Sequence, residues 1–223
     1  HRDSSLDFYL AKARIQAMYT SQSTDSLLAY FEQNAKRSRL GSPAQLAAQY
    51  GKALALMKSN HSAEAGNILA TLIKQQPDNL FFQDSLTDQE IDAQQYSAAI
   101  SRLEQRNQNM QNNPVIIINL ANVYLKANQP DASIRLLDQY TRNNPESSLA
   151  WQLLTEGYQQ TANQTGFHQA QAEYLALRGD IAQATDHLHM ARANTADGLS
   201  QARIDARIAE LEKQKKVDDS LKR

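Results

Sequence analysis

Cysteine is absent from this chain of 223 residues, which excludes disulfide bridges and thiolate catalysis but fits both cytoplasmic and periplasmic conditions. Glycine and proline are scarce, at seven and five residues, and this scarcity disfavours a turn-rich β-sandwich. No apolar run approaches the roughly 18 residues of a membrane span. Residues 1 to 5 also lack the apolar segment that a signal peptide needs. The composition therefore predicts a soluble, helical chain.

An excess of charge of one sign is also missing, since the formal net charge is -1. Proteins that bind nucleic acid through its phosphates need a clustered cationic surface. Nucleic acid is therefore excluded as the main expected partner.

Catalytic and metal-binding motifs are missing as well. None of the five histidines stands in a His-Glu-x-x-His motif, and His187 and His189 are two residues apart, so they point to different helix faces. Gly51-Lys52-Ala53 lacks the first glycine and the Ser/Thr of a P-loop, and no Gly-x-Ser-x-Gly is present. We therefore predict no catalytic residue, no metal site and no cofactor in this chain.

A period of 34 residues organises the middle of the chain. Large apolar residues recur at Leu69, Leu103 and Leu137, and small ones recur at Ala65, Ala99 and Ser133. Two further rows, one small and one apolar, follow the same step: Ala53, Thr87, Ala121 and Thr155, then Leu86, Leu120 and Leu154, with Lys52 breaking the second row. Small residues at this period, where two helices cross closely, are typical of tetratricopeptide repeats (TPRs).

The predicted fold is all-α, a right-handed superhelical solenoid of antiparallel helix pairs with about eleven or twelve helices. The four β-branched residues from Val115 to Ile118 would favour a strand locally. Asn113 and Pro114, however, are a good helix start, so the repeat frame places this run on a helix. We expect one domain over residues 1–223, with an N-terminal helix pair (1–45), three regular repeats (46–147), irregular repeats (148–198) and a charged capping helix (199–223).

The first helix of each repeat lines the concave groove of such a solenoid. The groove positions predict an interaction surface made of ten residues, which are Tyr50, Leu54, Asp84, Asp88, Ile91, Asp92, Ile118, Asn122, Leu125 and Lys126. Exposed apolar residues at these positions would mark a binding site. The alternative is that flanking helices bury the apolar members of the set.

Asp84, Asp88 and Asp92 form an acidic stripe at helical spacing. Like charges four residues apart destabilise a helix slightly. The three carboxylates spread over about 12 Å of helix, so they do not converge on one metal ion. The stripe either contacts Lys or Arg of a partner or is neutralised internally by Lys58 and Lys126, and the sequence leaves both open.

Four segments then resemble a known family: "DFYLAKARIQAMY" (7–19), "AAQYGKALALM" (47–57), "NPVIIINLANVYLKANQP" (113–130) and "QARIDARIAELE" (201–212). They are similar to the C-terminal TPR region of the periplasmic β-barrel assembly-enhancing proteases, which are M48 zinc metalloproteases. The resemblance spans essentially the whole chain. The zinc motif is absent here, so the resemblance concerns only the repeat region, and zinc is expected only in the absent protease domain.

This resemblance implies a non-catalytic interaction module in the periplasm. Its implied partners are the protein's own protease domain, the β-barrel assembly machinery and outer-membrane β-barrel proteins such as the lipopolysaccharide-transport barrel. One competing hypothesis is a free-standing TPR adaptor of another envelope or cytosolic complex. A second is an enzyme in its own right, which the missing motifs disfavour.

Overall fold

The computed structural model describes residues 3–221, so His1 and Arg2, which belong to the segment considered above for a signal peptide, lie outside it together with residues 222 and 223. Over this range the regular structure is entirely helical, which confirms the predicted all-α fold and the helix count. The twelve helices are α1 (Asp3–Tyr19), α2 (Thr24–Arg37), α3 (Pro43–Lys58), α4 (Ser62–Gln75), α5 (Leu80–Asp92), α6 (Tyr96–Asn109), α7 (Pro114–Lys126), α8 (Pro130–Asn143), α9 (Ser148–Gln160), α10 (Gln164–Leu177), α11 (Ile181–Ala193) and α12 (Gly198–Leu221).

Helix starts follow the capping chemistry of the sequence. The Asn113 side chain accepts hydrogen bonds from the backbone N–H groups of Val115 (3.0 Å) and Ile116 (3.3 Å), and Pro114 is the first residue of α7. Asn79 caps α5 in the same way. Capping satisfies donors that the first helical turn leaves unpaired. The β-branched run at 115–118 is therefore helical, as the repeat frame predicts.

The turns between paired helices repeat with the same period. Asn60, Gln94, Asn128 and Ala162 have positive φ angles of 61°, 57°, 57° and 54°, and each is 34 residues from the next. This left-handed conformation ends one helix and redirects the chain into its partner. Of these four residues, only the two asparagines adopt the left-handed conformation at little energetic cost. The backbone geometry of the repeat thus holds even where the residue does not favour it.

The described residues pack as two compact units that divide between Ala99 and Ile100, inside α6. In the first unit α3 is central and contacts α1, α2 and α4. Its core joins Leu10 of α1 and Leu27 of α2 to Leu69 of α4. Gly51, excluded above from a P-loop, has a packing role, because a Cβ at this position would overlap the Phe31 ring.

The second unit has two apolar clusters. One is centred on Leu137 and Leu154 and joins α7 to α10. The other joins α10 and α11 to α12 through Leu188, Ile204 and Leu211. The grouping of residues 1–223 into one domain with the predicted internal boundaries stays a prediction.

Two of the periodic rows are buried throughout. Leu69, Leu103 and Leu137 are at most 1% exposed, and Ala65, Ala99 and Ser133 are fully buried. Lys52, which breaks the leucine row, donates to Glu32 at 2.7 Å and lies 3.7 Å from Glu64. At Lys52 an ion pair between neighbouring helices therefore replaces apolar packing.

Within residues 3–221, no helix combines the length and the apolar character needed to cross a bilayer.

Candidate polypeptide-binding faces

The acidic stripe lies along α5, and its first carboxylate has a cation partner. Arg14 of α1 donates to Asp84 through Nη1 at 2.8 Å, with both side chains partly exposed. Lys58, one of the two residues expected to neutralise the stripe, instead donates to the backbone oxygen of Ala17 at 3.1 Å. Lys126, the other, donates to Glu156 at 3.3 Å. Internal neutralisation thus occurs at Asp84, but the cation comes from α1.

Asp88 and Asp92 form the solvent-facing part of the stripe, and both side chains are exposed. The surroundings of Asp88 raise its pKa to about 6, mainly by partial desolvation and then by the neighbouring Asp84, while Arg14 opposes the rise. The ionised form of Asp88 is therefore disfavoured in this structure. A cation brought close by a partner would relieve that cost.

Tyr50 was expected to be an exposed groove residue, and this expectation is wrong. The side chain is fully buried, and its ring packs 5.5 Å from Phe82 and 6.2 Å from Phe81, measured between centroids. Its hydroxyl lies 3.0 Å from Ser85 Oγ. Burial raises the pKa of Tyr50. The reason is that α1 and α5 flank α3 and are joined by the Arg14–Asp84 pair, so the middle helix is covered.

Leu54 and Leu125 are likewise buried, at 5% and 3% exposure, so their expected exposure is also wrong. Leu54 belongs to the apolar core of the first unit. Leu125 points toward α9, where its Cδ2 atom lies 3.5 Å from the position that a Cβ of Gly157 would take. For these leucines the alternative of burial against flanking helices is the right one.

The remaining predicted residues stay on the surface. In the first unit, Ile91 is half-buried beside the exposed Asp92. In the second unit, Ile118 and Asn122 of α7 are half-buried, and Lys126 forms its ion pair with Glu156. We name the α5 residues Asp88, Ile91 and Asp92 the acidic face, and the second-unit residues Ile118, Asn122, Lys126 and Glu156 the mixed face. Whether either face binds a partner stays a prediction.

Sequence reasoning missed the role of α1. Besides Arg14, this helix exposes apolar side chains, among them Phe8 (67%), Ile15 (62%) and Tyr19 (83%). A signal was present, because Phe8, Ile15 and Tyr19 share one helix face opposite the buried Leu10 and Ala17. A helix that is apolar on both faces has more apolar surface than its own unit covers.

Metal-binding side chains do not cluster within residues 3–221. There, no group of three or more His, Cys, Asp or Glu side chains is placed to hold a metal ion.

Comparison with known proteins gives two sequence results. The tetratricopeptide-repeat family profile matches residues 90–157. The β-barrel assembly-enhancing protease of Escherichia coli K12 is 39% identical over 212 residues, which is 93% of this chain and 42% of the relative. The protein of the same name in Yersinia pestis is 39% identical over 215 residues, with the same coverage. The chain thus spans 42% of the length of these relatives, and the match lies in their C-terminal part.

Solved structures agree on the fold. A tetratricopeptide repeat protein from Parabacteroides merdae has a TM-score of 0.56 at 9% identity, covering 96% of this chain and 89% of its own. Nearly identical TPR-like repeats from Podosopora anserina give 0.52 at 21% identity, covering 88% and 97%. By its repeat fold and its partial match, the chain corresponds to the C-terminal part of these relatives. It is therefore an all-α tetratricopeptide-repeat interaction module, similar over most of its length to the C-terminal part of the β-barrel assembly-enhancing proteases.

Proposed function

We propose that the chain is the docking part of a periplasmic zinc metalloprotease, and that it binds extended or partly folded segments of outer-membrane β-barrel proteins. The single observation that carries this proposal is the acidic face, where the exposed Asp88 and Asp92 lie beside the half-buried Ile91. Apolar and charged groups side by side are suited to a polypeptide rather than to a small substrate.

The mixed face of the second unit suits an extended backbone. Asn122 offers both an amide donor and a carbonyl acceptor, and Ile118 next to it presents apolar surface. An unpaired β-strand exposes backbone N–H and C=O groups together with alternating apolar side chains. A barrel strand that has not yet found its neighbour therefore presents the groups that this face can bind.

The acidic face adds a preference for cationic segments. Arg14 already pairs with Asp84, so an incoming Lys or Arg would meet Asp88 and Asp92. Pairing with a cation lowers the pKa of a carboxylate, which would return Asp88 from about 6 toward the ordinary range. Binding of such a segment is therefore expected to weaken as the pH falls below about 6.

The partners that we propose follow from the relatives. These proteins are named for β-barrel assembly and for proteolysis, which supports docking on the β-barrel assembly machinery and presentation of stalled barrels, such as the lipopolysaccharide-transport barrel, to the protein's own protease domain. The chain itself would supply recognition, and zinc chemistry would belong to the protease domain.

The test is binding of a fluorescent peptide from an outer-membrane barrel strand that carries Lys or Arg, measured by polarisation at low and high salt. The double variant Asp88→Asn with Asp92→Asn is expected to weaken binding several-fold at low salt and to reduce the salt dependence. The double variant Asp25→Asn with Asp131→Asn removes the same charge from exposed positions of second helices and is expected to bind normally. Equal loss in both variants would overturn the assignment of the acidic face.

A further inference from the structure

Two histidines that sequence spacing did not connect meet between α10 and α11. Nδ1 of His168 lies 3.0 Å from Nδ1 of His187, and the ring centroids are 5.1 Å apart. The Phe167 ring packs against both imidazoles, at 5.1 Å from His168 and 6.4 Å from His187. A hydrogen bond between two imidazole nitrogens requires one N–H group and one lone pair. The pair is therefore sensitive to the number of protons that it holds.

The pair lies within the helical hairpin of α10 and α11, away from its turn. Gly179 forms that turn with a φ of 82°, while Thr165 Oγ1 donates to the Asn194 backbone oxygen at 2.9 Å at the opposite end. His168 lies about one turn into α10 and His187 lies near the middle of α11, so the pair joins the two helices between these two ends. An interaction lost there would loosen the hairpin where the turn does not hold it.

Charged groups on the neighbouring elements decide whether protonated rings would find a counter-charge. The charged or titratable residues described on the surrounding elements are Glu156 and Tyr158 of α9, Glu173 and Tyr174 of α10, Arg178 and Asp180 of the turn, Asp186, His189 and Arg192 of α11, Asp197 of the following loop, and Arg203, Asp205, Arg207, Glu210, Glu212, Lys213, Lys215 and Lys216 of α12. Several carboxylates are already paired, Glu173 with Arg207 and Asp205 with Arg192. The pKa of His168 is lowered by burial and then by His187, and no carboxylate offsets this.

We propose that the His168–His187 pair is a pH-sensitive latch that holds α10 against α11 and opens when both rings are protonated. One added proton leaves an N–H and a lone pair to form the bond. A second proton places two N–H groups and two positive charges face to face, at a distance where like charges repel. This inference does not depend on the proposed function.

The direction of the pH dependence follows from the lowered pKa of His168. The unfolded chain binds protons at its histidines near the ordinary value of about 6.5, whereas burial and the neighbouring His187 ring keep the pKa of His168 in the folded chain below that value. Stability from the latch is therefore complete above about pH 6.5 and is lost progressively as the pH falls below that value.

Amide hydrogen exchange followed by mass spectrometry at pH 7.5 and 5.5, in EDTA and corrected for intrinsic exchange, tests the latch. We expect the protection of residues 164–170 and 187–197 to fall several-fold in the wild type at pH 5.5. His187→Asn keeps a side-chain hydrogen-bonding group but does not titrate, so its protection should be the same at both pH values. His189→Asn, at an exposed position of the same helix, should behave like the wild type.

Three results would overturn the latch. The first is an unchanged loss of protection in His187→Asn. The second, which needs no variant, is a nuclear magnetic resonance titration of the wild type in which both histidines titrate independently near the ordinary value. The third is a loss of protection at pH 7.5 that appears only when EDTA is added, since a metal ion would then hold the two rings.

Discussion

Single residues of the repeat rows determine the stability of the cores. Leu137 is fully buried in the second unit and belongs to the row that the 34-residue period identified. Such a residue can be placed in a core from sequence because it recurs at one position of a repeated helix pair. Tyr50 could not be placed correctly, since its burial depends on α1, a helix that precedes the regular repeats.

The substitution Leu137→Ala tests whether the row of Leu69, Leu103 and Leu137 marks core positions. Removing a fully buried leucine side chain costs both its transfer free energy and a cavity term, together about 3 kcal/mol. The free energy of unfolding, measured with urea, should fall by this amount, whereas Leu149→Ala at a half-exposed position should change it by less than about 1 kcal/mol. Similar small losses in both variants would contradict the register.

Asp88→Asn tests the electrostatics of the acidic face. The pKa of Asp88 in the folded chain is raised to about 6, so its charge disfavours folding, and the neutral form is favoured at low pH. Stability from the neutral carboxyl is complete below its ordinary pKa and is lost as the pH rises through about 6. The asparagine variant should therefore be more stable than the wild type at pH 7.5, by less than about 1 kcal/mol because Asp88 reaches solvent.

The same variant should match the wild type at pH 3.5, where both side chains are neutral. Thermal unfolding at the two pH values provides the measurement. An equal difference in stability at both pH values would show that packing, rather than charge, distinguishes the variant from the wild type.

Helices and turns are the scale at which sequence reasoning was most successful. Asn113 and Pro114 mark the start of α7 and overrule the strand propensity that follows them. The period also places the turns, but it does not reveal their conformation. Gln94 and Ala162 adopt the left-handed region, although neither residue favours it. The left-handed conformation therefore recurs with the position in the repeat and not with the type of residue at the turn.

Ala162→Gly tests this account of the turns. Glycine adopts positive φ without the steric cost that alanine incurs there, so the substitution should raise the free energy of unfolding by about 1 kcal/mol. Ala209→Gly, at an exposed position inside α12, should lower it by a similar amount, because glycine is unfavourable within helices. Destabilisation by both substitutions would contradict the left-handed turn at Ala162.

At the scale of the whole molecule, the sequence predicted the repeat architecture, but it predicted the exposure of only some of the groove positions correctly. The groove positions were predicted from a generic tetratricopeptide repeat, in which the first helices of neighbouring repeats are equivalent. Here Arg14 of α1 pairs with Asp84, and Leu125 packs toward Gly157, so some of those positions are core. Contacts between distant segments decide which repeat positions remain exposed, and the 34-residue period does not encode these contacts.

The central claim is that the first helices, and not the second, carry the binding faces. Photo-crosslinking from single positions in living cells tests it, with the photoreactive residue at Asp88, Ile91, Ile118 or Asn122. Ala70 of α4 and Arg135 of α8, both exposed on second helices, are the controls. The account predicts crosslinks to envelope proteins from the four first-helix positions and none from the controls. Crosslinks from Ala70 and Arg135 alone, or from all six positions equally, would contradict it.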